Sequence, residues 1–403
     1  MTKIKLDGHL IGHDCQPFII AEAGINHNGE IENALEMIDV AKAAGADAIK
    51  FQTFEASGIV ANSSLTYTYK SQGKEVTESV FEMYKRCEFS KTEWIKIKQK
   101  CDETKILFLS TPENRSDLDL LLELGIPAIK VGSDDFTNIP LLKDYSTTRL
   151  PLIISCGMSN LSEIQQTLKE IGSLENYPTI LMLTTSEYPT IPSNVNLLKL
   201  RTLSESFPNI PLGYSDHTQG TLASSLAVGL GATVFEKHFT LSKEFPGPDH
   251  WFSADPQELK KWVSSIRIAY TMLGTSEVKP TKNEEKIKVL ARRSIIALDD
   301  IEKDEVFTDK NIGARRPGNG LPPTMIESII GLKAKQKIPK CKLMVEIMNF
   351  GKLSKYLAAN VDNKRKRFNI NTVKDLVCHL NPNNDSNSKY TVDNIVKESI
   401  NKT

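Results

Sequence analysis

The chain has 403 residues, enough for a large core and for more than one domain. Lys plus Arg and Asp plus Glu each number 50, so the formal net charge is zero and there is no field to attract nucleic acid or an anionic membrane. No apolar run reaches the roughly 20 residues of a membrane helix, MTKIKLDGHLIGHDCQ lacks the apolar stretch of a signal peptide, and the six scattered cysteines contain no CxxC pair for a zinc knuckle or disulfide framework, which together point to a cytosolic small-molecule enzyme.

From residue 17 to about 275, short apolar strands alternate with amphipathic helices. The predicted strands are Phe18–Ala23, Ala48–Phe54, Ile106–Thr111, Ala128–Ser133, Leu152–Cys156, Thr179–Thr185, Pro211–Ser215 and Thr233–Phe239. They are almost wholly apolar, as strands buried on both faces must be. The predicted helices include Ile31–Ala44, with Ala34, Leu35, Ile38, Ala41 and Lys42 near one stripe and Gly45 as a stop, then Leu161–Ile171 and Pro256–Leu273. Alternating β and α also builds open doubly wound sheets, but eight strands within one domain favour a (β/α)8 TIM barrel spanning residues 1–275.

Residues 55–90 are too long for an ordinary loop and read as an active-site wall or a partner-contacting insertion. Residues 276–290 are charged and read as a linker. A small second unit follows at 291–350, containing short strands and the turn-rich ARRPGNGLPP. Residues 351–403 are rich in Asn, Lys and Ser and read as a weakly ordered tail, with a short helical pattern at Val373–Leu380.

Polar residues at the C-terminal ends of barrel strands read as catalytic, and nearly every strand here ends in them. They are Glu22, Asn26 and His27; Lys50 and Gln52; Ser110 and Thr111; Lys130, Ser133, Asp134 and Asp135; Ser155; Thr185, Ser186 and Tyr188; Ser215, Asp216 and His217; and Glu236, Lys237 and His238. Any one of them alone reads equally well as a cap or a satisfied core residue. Lys50 and Lys130 lie inside apolar strands, where an unpaired ammonium is costly; two in one barrel mouth make an anion site, with Ser133, Ser155 and Ser215 as donors. Snorkelling to the rim and a Schiff-base role are the alternatives. His217 and His238 end neighbouring strands and suit a divalent metal, with Glu236 and Asp249 near in sequence to orient an imidazole or hold metal-bound water. His27 and His250 are weaker candidates.

The ordered set IAEAGINHNG, IKFQT, IKVGS, ISCGM, GYSDHT, FEKHFT, PGPD and RRPGNG resembles the sialic acid synthase family, the bacterial nonulosonate synthases, over residues 10–350 or so. The resemblance implies a TIM barrel followed by a small antifreeze-like (SAF) domain, and condensation of phosphoenolpyruvate with an N-acylmannosamine-type sugar. It also implies a divalent metal, manganese preferred over magnesium or cobalt, and a domain-swapped homodimer. By the same resemblance His217 and His238 hold the metal, and Lys50, Thr111, Lys130, Ser133, Ser155, Ser186, Tyr188 and Ser215 hold phosphoenolpyruvate. Glu22, Gln52, Asp249 and, from the partner subunit, Arg316 contact the sugar. Two positions depart from the better-known neuraminate synthases: GSDD stands for GSGE, making Asp135 the acceptor of the water proton, with Asp134 able to share the work, and Ser186 stands for an asparagine. N-acetylneuraminate synthesis is the leading expectation, with legionaminate-type or pseudaminate-type synthesis as the alternative; a KDO-8-phosphate or DAHP synthase and a non-catalytic carbohydrate-binding barrel stand further off.

Overall fold

The computed structural model describes residues 3–62 and 64–344. The expected tail and its helical pattern at Val373–Leu380 lie outside the described residues, as does the end of the expected second unit. Two compact units divide between Thr275 and Ser276.

In the first unit eight parallel strands form one sheet: β1 (Phe18–Gly24), β2 (Ala48–Thr53), β3 (Leu107–Pro112), β4 (Ile129–Val131), β5 (Leu152–Ser155), β6 (Thr179–Thr184), β7 (Leu212–Ser215) and β8 (Val234–His238). Their hydrogen-bonded order is β3-β2-β1-β8-β7-β6-β5-β4, and β3 and β4, at its two ends, pack side by side. The sheet is therefore a nearly closed TIM-like barrel ringed by helices, as the strand count predicted.

Strand alternation sorts the side chains into two layers. Ile19, Ala21, Ile49, Phe51, Ile129, Ile154 and Phe235 face outward and pack under the helices. Ile20, Ala48, Leu109, Ala128, Ile153 and Val234 face inward and fill the lower barrel. An N-terminal hairpin, Ile4–Leu6 with His9–Ile11, buries Ile4, Leu6 and Ile11 against that inner layer and closes the floor. The sequence reading had no place for it. Counting up each strand by two then leads from Ile20 to Glu22, Ala48 to Lys50, Ala128 to Lys130, Ile153 to Ser155 and Val234 to Glu236 and His238.

The helix Ile31–Ala44 buries Ala34, Met37, Ile38, Ala41 and Ala44 and stops at Gly45, whose φ of 88° needs no side chain. Lys42, placed near the stripe by the sequence, is exposed, and Met37 is buried instead. The helix Pro256–Leu273 begins at an Asp255–Glu258 capping box with Pro in its first turn.

The long segment after β2 is built rather than irregular. It holds a turn of helix (Ala56–Ile59), a hairpin (Thr66–Ser71 with Lys74–Ser79) and a second short helix (Val80–Lys85). The hairpin is tied to the loop after β8: Gln72 Nε2 donates to the Glu244 carbonyl at 2.9 Å, and the Gly247 N–H donates to Ser71 Oγ at 3.2 Å.

In the second unit, the segment read as a linker contains a helix, Lys282–Ala291, started by a Thr281–Glu284 capping box. Ser294–Ala297 pairs antiparallel with Ile312–Arg315 over a core that includes Ile295, Ile301, Phe307 and Ile338.

Two residues expected at the barrel mouth turn the other way. Asp216 and Lys237 alternate with inward-facing neighbours and form an outward ion pair of 3.3 Å, with side chains at most 6% exposed. The Asp216 carboxylate also accepts from Thr218 N–H (2.8 Å), Thr218 Oγ1 (2.7 Å), Ser224 Oγ (2.6 Å) and Trp262 Nε1 (3.3 Å). This clamp fixes the strand ends beside His217 and His238. Asp216→Ala strands the Lys237 ammonium without a counter-ion and should cost about 3–5 kcal/mol in urea unfolding. Asp216→Ala with Lys237→Met should regain much of that loss; a cost below about 1 kcal/mol for the single change would show the clamp to be dispensable.

Candidate active site

The inward positions converge on a cavity of about 550 Å³ at the C-terminal mouth of the barrel, a size suited to small metabolites. Glu22 stands between His238 and Lys50, its in-register neighbours on β8 and β2. A register shift after Glu22, at Gly24 with a φ of 53°, bends β1 there. A Cβ on Gly24 would stand 3.4 Å from Glu22 Oε1 and Gln52 Oε1 and 3.6 Å from His238 Cε1, so these three groups crowd one spot.

The two lysines do point into the cavity, but they are not free charges. Lys50 Nζ lies 2.9 Å from Glu22 Oε2 and 4.0 Å from Glu236 Oε2, and donates to Thr111 Oγ1 at 3.0 Å. Lys130 Nζ lies 3.7 Å from Glu236 Oε1 and donates to Ser155 Oγ at 2.9 Å. All four charged side chains are at most 5% exposed. Burial pushes Lys50 down, but Glu22 and Glu236 outweigh it and hold the ammonium charged. Burial wins at Lys130 and lowers it. Glu236, against its burial, is held low by Lys130 and Lys50, whereas burial raises Glu22 to about 7 despite Lys50. Glu236 thus sits between the lysines, with Ser215 Oγ donating to it at 3.1 Å, and its charge also reaches His217.

His217 and His238 face each other with ring centroids 5.5 Å apart. Tyr188 and Phe252 wall them in, Tyr188 lying 4.1 Å from the His217 ring and Phe252 5.7 Å from the His238 ring. His217 Nδ1 donates to the Thr185 carbonyl at 2.8 Å, which fixes its tautomer and leaves the Nε2 lone pair free. His238 Nδ1 is buried without a hydrogen-bond partner, and the nearest anion, Asp249 Oδ2, is 3.8 Å away. Burial lowers His217 to about 4 and His238 well below its ordinary range. Both imidazoles are therefore neutral ligands at physiological pH, one with an open valence inside the protein, and the pair fits a divalent ion.

Beside the lysines, Gly157 N–H donates to Ser133 Oγ at 3.0 Å. A Cβ at Gly157 would sit 2.6 Å from Ser186 Oγ and 2.7 Å from Ser133 Oγ. Glycine there lets two hydroxyls that line the cavity converge on one spot.

Of the residues singled out from the sequence, Glu22, Lys50, Gln52, Thr111, Lys130, Ser133, Ser155, Ser186, Tyr188, Ser215, His217, His238 and Asp249 all line this one cavity. Asp135 does not line it: its carboxylate accepts from Asn138 Nδ2 at 2.9 Å, while Asp134 takes the lining position. Arg316 lies in the second unit, exposed and without a hydrogen bond or ion pair among the described residues. Its turn is anchored by Gly318 N–H donating to the Val289 carbonyl at 2.7 Å. His27 stacks on Phe89 at 4.3 Å and His250 bonds Thr240 at 2.7 Å; neither lines the cavity.

Sequence reading missed Glu113. It lines the cavity one residue past β3, and its carboxylate lies within 4.8 Å of those of Asp134 and Asp135. Burial, then the charges of Asp134 and Asp135, push it up to about 8. The strand-end rule reaches it only when the strand is continued through Pro112.

Comparison with known proteins gives a consistent result. Residues 37–278 match the NeuB family and residues 292–340 match the SAF domain. The N,N'-diacetyllegionaminic acid synthase of Legionella pneumophila is 41% identical over 319 residues, covering 78% of this chain and 89% of that protein. The pseudaminic acid synthase of Campylobacter jejuni is 34% identical over 328 residues, covering 81% and 94%. The structure of an N-acetylneuraminic acid (sialic acid) synthetase from Leptospira borgpetersenii superposes with a TM-score of 0.64 at 33% identity, covering 71% of this chain and 95% of that one. The chain belongs to the NeuB family, its barrel followed by a SAF domain.

Proposed function

We propose that this chain is a nonulosonic acid synthase that condenses phosphoenolpyruvate with the open-chain aldehyde of an N-acylated amino hexose, forming one C–C bond and releasing phosphate. The carrying observation is the pairing, in one cavity, of two neutral histidines with two buried lysines held in place by glutamates. A hydrolase has no use for such a lysine floor, and a carbohydrate-binding barrel no use for an open histidine pair.

A divalent ion held by His217 and His238, manganese being the expected one, would supply Lewis-acid polarisation of the aldehyde. Lys50 and Lys130 hold the carboxylate and phosphate charges of phosphoenolpyruvate, and Ser133, Ser155, Ser186 and Ser215 donate to their oxygens. C3 of the enolpyruvate attacks the aldehyde carbon, whose oxygen takes up a proton. Water then adds at C2, and its proton passes to the acidic group of Glu113, Asp134 and Asp135, with Asp134 nearest the cavity. Collapse of that adduct breaks the C–O bond and frees phosphate. Glu22, Gln52 and Asp249 orient the sugar. Arg316, exposed on its turn and lacking a partner among the described residues, reaches the sugar from a second copy of the chain in a domain-swapped homodimer. The free cysteines among the described residues, together with a phosphoenolpyruvate substrate, support a cytoplasmic location.

Chelator-treated protein should lose phosphate release from phosphoenolpyruvate and regain it with manganese; full activity in chelator removes the metal role. Neither Arg316→Ala nor His217→Ala homodimers should turn over, yet their mixture should recover activity, and verified heterodimers that stay inactive would disprove the swap. Burial raises Glu22 to about 7, and its ionised form is the one that pairs with Lys50. kcat/KM should therefore rise as pH increases through that value and fall below it, and Glu22→Gln should abolish that limb of the profile.

A further inference from the structure

Resting on the reading of His217 and His238 as metal ligands, we infer that Thr190 is a positioning residue that holds the His217 imidazole in its metal-binding orientation. An imidazole binds a metal well when its ring cannot swing, and the acceptor behind its far nitrogen sets the ring's angle. For His217 that acceptor is the Thr185 carbonyl, 2.8 Å from Nδ1. Thr185 lies one residue past β6, beyond the ladder position that pairs Thr184 with Ser215. Strand register therefore does not fix the direction of its carbonyl, and bonds within the loop have to.

Besides His217, two groups donate to that carbonyl: Glu187 N–H at 2.9 Å and Thr190 Oγ1 at 3.3 Å. The single proton of the Thr190 hydroxyl is shared with the Glu187 carbonyl, 2.8 Å away, so it draws residues 185–190 into a closed loop. The Thr190 N–H donates in turn to the His217 carbonyl at 2.9 Å. Thr190 thereby fixes both the backbone that carries His217 and the carbonyl that orients its ring. The same loop lays Tyr188 on the imidazole, with ring centroids 4.1 Å apart, so the ring is held at its edge and on its face. His238 Nδ1 has no hydrogen-bond partner among the described residues, so of the two Nδ1 atoms that of His217 is the one held from behind. Thr190 itself is 4% exposed and does not line the cavity. Valine would fill its space, and what valine lacks is the hydroxyl that closes the loop.

The full chain, freed of metal, should be titrated with manganese, with and without phosphoenolpyruvate, while free manganese is followed by electron paramagnetic resonance. Thr190→Val keeps the shape and the N–H but removes the hydroxyl. Its Kd for manganese should rise about tenfold or more, the usual effect of losing a group that orients a metal-bound histidine. Thr190→Ser keeps the hydroxyl and should bind manganese as the unaltered protein does. Urea unfolding of the metal-free variants separates lost orientation from lost folding. A folded valine variant with unchanged Kd overturns the inference and leaves the metal reading intact. So does a serine variant whose affinity falls, whether or not the valine variant folds. No manganese binding by the unaltered protein, with or without phosphoenolpyruvate, overturns the metal reading and the inference with it.

Discussion

Four charges buried in one layer of the barrel set the terms for the rest of the site. Glu22, Lys50, Lys130 and Glu236 replace what would otherwise be a further layer of Ile and Val. Isolated, any of the four would be strongly destabilising; together they are neutral, and each finds an opposite charge within 4.0 Å. Neutrality makes the layer tolerable, and neither lysine is a free charge. Above them the cavity adds Glu113, Asp134 and Asp249, all acids. The histidine pair, kept neutral by burial, sets uncharged nitrogen ligands beside these acids.

Strand alternation keeps that chemistry separate from the groups that support it. On β7 and the residues after it, Ser215 and His217 face in while Asp216 faces out; on β8, Glu236 and His238 face in while Lys237 faces out. The outward pair locks the two strand ends to each other and to Trp262. Reactive and supporting charges thus sit one residue apart yet on opposite sides of the sheet, where low dielectric strengthens each set without mixing them.

The barrel was legible in the sequence because strands buried on both faces cannot hide: each is an apolar run, and a polar residue inside one must have a reason. The inward set was legible for the same cause, since Lys50 and Lys130 interrupt such runs. The parity was present in the text as well: two-residue counting from Val234 gives Glu236 and His238 and excludes Lys237. Pooling all strand-end polar residues blurred that distinction. The N-terminal hairpin and the hairpin at Thr66–Ser79 were illegible for a different reason. Their strands are short or largely exposed, and what holds them is contact with distant parts of the chain. Asp135 was preferred over Asp134 by analogy of position. In the folded turn Asn138 captures the former, a choice made by local hydrogen bonding that no spacing records.

The division between floor and wall carries a consequence for how such a site diversifies. Groups on the floor are fixed by strand register: moving Lys50 one place would turn it out of the barrel and set Phe51 in its stead. Nothing comparable constrains Leu65, Val80 or Met83, which sit on a hairpin edge and a short helix inserted after β2. Substitution there alters what the cavity touches without disturbing the charged layer beneath it. The inserted segment follows no barrel periodicity, so the positions it gives to the cavity are set by its own hairpin and short helix and not by strand register.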